Sequence, residues 1–188
     1  MYELKHYIAA FSSLHTAKVK GYRAPHKAVL LLSVIDLIEE GAISSPCIEL
    51  TDQLDRKFND LWHRYLGQSS IFTPDVNKPF FHMQHEAFWR LVELDERTSV
   101  MAAEPTPFVS SRKVVKNLPK GGYSIRALRR EFAYAEIDLL LFNLLHNADA
   151  RAMLRVILIN TYLCNQPTKS LPDITQLILV LPIFTLVA

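Results

Sequence analysis

Apolar positions fall into a few readable patterns along this chain. Leu4, Tyr7, Ile8 and Phe11 repeat at the three-and-four spacing of one helix face, which predicts a first amphipathic helix over Tyr2 to Leu14. A basic linker, Thr16 to Tyr22, carries Lys18, Lys20 and the flexible Gly21. It leads to Pro25, which suits a helix start because proline has no N–H to satisfy and its φ is already helical. The helix that follows is apolar nearly all round, from Ala28 through Ile38, and Gly41 ends it, so it belongs in the core. Ala42 to Leu50 alternates weakly, as a short strand does, and Thr51-Asp52 then caps a helix bearing Leu54, Phe58, Leu61, Trp62 and Tyr65.

Beyond the loop from Gly67 to Lys78, two short aromatic runs, Pro79 to Met83 and Ala87 to Glu93, read as the strands of a hairpin. Two further helices are expected to close the domain, Tyr134 to Leu145 and, after Asn147 as cap, Ala148 to Leu163. The expectation is a mainly helical α+β fold: one compact domain, residues 1–163, of about five to six helices with a small antiparallel sheet. Residues 164–188 form an atypical apolar tail. Its run Leu177 to Ala188 is too short to span a membrane and contains Pro182; it reads as a buried strand, a docking segment or the end of a truncated or shifted reading frame.

Composition narrows the classes. With 188 residues, 49% of them hydrophobic and a net charge of +2, the chain can bury one good core but has no global basic field for nucleic acid. Charge is local: between Ala103 and Arg130 seven Lys and Arg face only Glu104, a stretch that reads either as a solvated loop or as a phosphate-tracking surface. Cys47 and Cys164 lie far apart and outside any zinc spacing, and no secretory signal opens the chain, so a reducing cytoplasm is expected.

Chemistry is sparse. No phosphate-binding glycine loop occurs among the five glycines, and neither Ser69-Ser70 nor Ser110-Ser111 sits on a nucleophile elbow. His82 and His85, read as strand residues three apart, point to opposite faces and do not suggest a metal site; no cofactor is expected. Asp55/Asp60 and Glu136/Asp138 read as the wet faces of helices. What remains is a cationic cluster, Arg23, Pro25, His26 and Lys27, at a helix N-terminus, and a companion in Lys78-Pro79-Phe80-Phe81-His82. The cluster reads as caps and surface residues or as an anion site.

An ordered set of blocks decides between these. Ala24-Pro25-His26-Lys27-x-x-Leu30-Leu31-Leu32 is followed by Ile48-x-Leu50-Thr51, then by Pro79-Phe80-Phe81-His82-Met83 with Phe88-Trp89-x-Leu91. Leu128 to Asp138 and Asn147 to Arg155 complete the set. Over Tyr2 to Tyr162 the chain resembles the sulfur-binding domain of type IV, McrA-like restriction endonucleases, which recognise phosphorothioate-modified double-stranded DNA. The resemblance implies a shallow surface cavity for the modified phosphate, with Pro79, the His26 ring, the Lys78 stem and the flank of His82 around the sulfur, Phe80 beside them, and Arg23 and Lys27 on the charged oxygens. Tyr22, Gln84, His85, Ser110, Arg112, Lys113, Lys116 and Lys120 would contact the surrounding DNA. It also implies a C-terminal HNH nuclease, which the residues after His146, devoid of histidine, do not supply. The expected protein is thus a DNA reader without catalysis, partnered by a nuclease or separated from a nuclease domain. A metal-dependent nuclease built on His82 and His85, and an interaction module docking through the tail, are the rival readings.

Overall fold

The computed structural model describes residues 2–67, 70–94, 122–164 and 166. Ser110, Arg112, Lys113, Lys116, Lys120 and the apolar tail lie outside the described residues. Helix α1 (Tyr2–Ser12) buries Tyr7 and Phe11, and a ribbon of two short antiparallel strands, β1 (Lys18–Val19) and β2 (Tyr22–Arg23), fills the stretch expected to be a linker. Helix α2 (His26–Glu39) starts on Pro25, whose carbonyl accepts the Val29 N–H at 3.0 Å. It is buried from Lys27 through Ile35, as its unbroken apolar sequence requires. Gly41 then takes a left-handed φ of 72°, and the N–H groups of Ala42 and Ile43 both close on the Leu37 carbonyl.

Strand β3 (Cys47–Ile48) leads into α3 (Asp52–Leu66), where the Thr51 hydroxyl accepts the Leu54 N–H at 3.2 Å and Leu54, Phe58, Leu61 and Trp62 are buried toward the core. After α4 (Asn77–His82) come a 3₁₀ turn (Met83–His85) and strand β4 (Trp89–Glu93). Helix α5 (Ile125–Glu131), capped by Ser124, runs directly into β5 (Phe132–Ile137). Helices α6 (Leu139–Leu144) and α7 (Ala148–Leu158) follow, and one π-helical turn (Ile159–Leu163) extends the last. The architecture is α+β and mainly helical, with an antiparallel sheet of order β3-β5-β4 set against the helices. Trp62, Trp89, Tyr7, Tyr162, Phe11, Phe58 and Phe80 are among the largest side chains in its core. No helix among the described residues is long and apolar enough to cross a membrane.

Two expectations are overturned. Pro79 to Met83 is not a strand: Pro79 sits in the first turns of α4, where its missing N–H is tolerated, and Phe80 donates to the Val76 carbonyl at 3.1 Å. The helix drives Phe80 and Phe81 into the core, and that burial outweighs the β propensity of the aromatic pair. The true partner of β4 is β5, with Leu91 opposite Ala135 and Arg90 opposite Glu136.

Likewise Tyr134 to Leu145 is not one helix. Phe132–Ile137 is the central strand, and Asp138 ends it by accepting the Leu140 N–H at 3.0 Å as the cap of α6. An apolar run of this length suits either state, and pairing on both edges decided it. Glu136 and Asp138 therefore do not line a wet helical face: Glu136 pairs with Arg90 across the sheet, and Asp138 accepts the Tyr7 hydroxyl at 2.7 Å.

Candidate nucleic-acid interface

The N-terminal turn of α2 and one side of α4 line a cavity of about 580 Å³. Its lining includes His26 and Lys27 from α2 and Lys78, Pro79 and His82 from α4, with His85 from the following turn. These residues come from two sequence blocks about fifty positions apart, and packing of α4 on α2 unites them. Phe72, Ala24 and Val19 add apolar wall, while His15 and Asp75 stand at the polar parts.

His26 is held as a neutral wall. Its Nε2–H donates to the Thr73 carbonyl at 2.8 Å, and the ring lies on Trp62 with centroids 4.7 Å apart and edge-on to Phe72 at 5.9 Å. Burial lowers its pKa; the Thr73 bond and Asp75 oppose that shift, and Lys78 adds to it. Opposite it, the His82 Nε2 is 2.8 Å from the Tyr123 hydroxyl, and its pKa is lowered first by burial, then by His85, Lys27 and Lys78. The His82 and His85 rings stack 6.0 Å apart at 18°. They do not point to opposite faces, because the segment is helical and not extended. Among the described residues no group of three or more His, Cys, Asp or Glu could hold a metal ion.

Beneath the cavity lies a buried ion pair. Lys27 Nζ is 2.5 Å from Glu86 Oε1, with the two side chains only 8% and 5% exposed. Glu86 also accepts the His15 backbone N–H at 2.9 Å, and its other oxygen is 3.2 Å from His15 Nδ1. Burial pulls the Lys27 ammonium toward neutrality, and Glu86 holds it charged. Lys78, by contrast, is 61% exposed and 3.5 Å from Asp75.

The roles expected from sequence are therefore redistributed. Lys27 lines the cavity but is not a free oxygen ligand, because Glu86 occupies its ammonium. Arg23 is not in the lining: its guanidinium lies over the Tyr162 ring, 5.7 Å from the centroid, and Nη1 reaches the Ser12 carbonyl at 3.5 Å. Pro25 is buried as the start of α2. Phe80 is in the core, edge-on to Trp89 at 5.7 Å, and borders a different cavity. Gln84 is buried, whereas His85 and Tyr22 are at the surface.

Glu86, His15, Phe72, Thr73 and Val19 are the parts that sequence reasoning missed. Asp75 was missed as well, although its place three residues before Lys78 was a local signal that could have found it. Glu86 carried no local signal, since its partners are 59 and 71 positions away. No protein-family model matches the chain, and no curated protein matches it.

Proposed function

We propose that this protein is a reader of phosphorothioate-modified double-stranded DNA, acting in the cytoplasm as the recognition part of a restriction system, with strand cutting left to a separate nuclease module. The observation that carries this reading is the cavity that joins His26, Pro79, the Lys27 stem and His82 beside the exposed ammonium of Lys78. Sulfur in place of a non-bridging oxygen is larger, more polarizable and less strongly hydrated. It loses less on leaving water, so a wall of proline ring, neutral imidazole and lysine methylenes favours it over oxygen. Burial of one small apolar group, or the penalty for an unpaired polar one, supplies about 1 to 3 kcal/mol, roughly tenfold to a hundredfold in affinity.

Lys27 is offset by Glu86, so charge attraction at the site rests on Lys78, which is 61% exposed with Asp75 3.5 Å away. The test is a titration of the chain against two duplexes identical except for one phosphorothioate linkage, at fixed salt. Preference for the sulfur duplex is expected, and Pro79→Ala should cut that preference severalfold. Equal affinity for the two duplexes, or a preference untouched by Pro79→Ala, overturns the reading.

A further inference from the structure

The ribbon beside the cavity is expensive for a protein standing alone. Lys20 adopts a left-handed φ of 52° and Gly21 follows at 86°, the backbone of a tight hairpin turn in which glycine or asparagine sits without strain and lysine does not. Lys18 is directly opposite Arg23 in the register, like charge against like. Val19 and Tyr22, the other cross-strand pair, are 44% and 43% exposed. Among the described residues no carboxylate pairs with Lys18, Lys20 or Arg23.

The ribbon is nonetheless firmly rooted. Ala24 donates to the Ala17 carbonyl at 2.8 Å, Arg23 lies over Tyr162, and the His15 N–H just before the ribbon is fastened to Glu86 under the cavity. Val19 lines the cavity, and opposed residues in a strand pair share a face, so the Val19–Tyr22 face borders the place where an anion would sit. A strained lysine, a cross-strand cation pair without a carboxylate partner and an exposed valine–tyrosine pair are all compensated by one kind of partner: a polyanion with apolar units between its charges.

We infer that the β1–β2 ribbon grips the sugar–phosphate chain flanking the cavity, with Val19 and Tyr22 packed on the adjoining nucleoside and Lys18 and Lys20 set on neighbouring phosphates. The inference rests on the nucleic-acid reading above and extends it, since the cavity volume of about 580 Å³ exceeds a single phosphate group and falls in the range that holds a larger ligand.

Two variants of the whole chain, Tyr22→Ala and Lys20→Gly, test it against the sulfur and oxygen duplexes over a salt series. Tyr22→Ala is expected to weaken both duplexes by about tenfold with the sulfur-to-oxygen ratio kept. Lys20→Gly relieves the backbone strain, so it should raise the melting temperature while weakening both duplexes and lowering the salt slope by about one. Stability and binding moving in opposite directions is a result that a merely structural turn would not give. If both variants bind as the parent does, the ribbon inference is overturned and the sulfur reading stands. If the parent shows no sulfur preference yet both variants lose affinity, the sulfur reading falls and the ribbon inference stands. If the parent binds neither duplex, both fall.

Discussion

Two cavities of this protein are built from similar parts and treat their charges differently. One, of about 440 Å³, lies among Leu50, Phe80, Leu128 and Phe132, with Asp52 and Arg129 at its rim. There the arginine is tied to the protein twice: Nε donates to the Leu50 carbonyl at 2.5 Å and Nη2 to Asp52 at 2.6 Å, which holds the Asp52 carboxyl below its usual range. Arg129 ties the start of α3 to α5, and its charge is matched by Asp52. In the α2–α4 cavity the buried pair, Lys27 and Glu86, lies at the floor, while the lining also holds Lys78, 61% exposed with Asp75 3.5 Å away, and the imidazoles of His82 and His85. A cation near a cavity is therefore weak evidence of a binding site until its partners are counted. Binding requires a charge, or an apolar wall, that the fold itself does not consume.

Breaking the floor should have the largest effect. Glu86→Ala leaves Lys27 buried without its partner and is expected to cost about 3 kcal/mol of stability in denaturant unfolding, while Glu86→Gln, which keeps the shape, should cost less. A next effect comes from pH. The fold lowers the pKa of His26 and of His82 below the ordinary value of 6.5, mainly by burial, so the unfolded chain takes up protons first as pH falls. Stability should be complete above that value, decline as pH drops below it, and level off once the folded histidines also protonate. His26→Asn should flatten the decline, as denaturant midpoints across the histidine range would reveal.

Lys78→Gln is a smaller perturbation. The side chain is exposed, so stability should be unchanged, whereas DNA affinity should fall a few-fold at low salt and the salt slope by about one. The smallest effect on binding is expected at the other cavity: Arg129→Ala should lower thermal stability slightly and leave both duplex affinities where they were. A loss of DNA binding in that variant would erase the distinction between the two cavities.

Much was legible from the chain alone, and the residues show why. The α2 core helix, its Pro25 start and Gly41 stop, the Thr51 and Asn147 caps and the amphipathic α3 all depend on neighbours within one or two turns, so local physics determined them. By resemblance His26 and Lys27 share one cavity with Lys78, Pro79 and His82, whereas the packing of α4 on α2 that brings the two blocks together has no local signal. Tertiary structure decided the rest. Whether Phe80 and Phe81 formed a strand or a helix, and whether Phe132–Ile137 continued a helix or became the middle of a sheet, depended on distant partners. Lys27 became a floor and not a ligand because Glu86, 59 positions away, was brought to its ammonium, and Val19 became a cavity wall because the ribbon borders the cavity that α2 and α4 line. Short-range hydrogen bonds and apolar periodicity are written in the order of residues; burial, and with it the choice of which charges are spent and which remain, arises only when remote segments exclude water from one another.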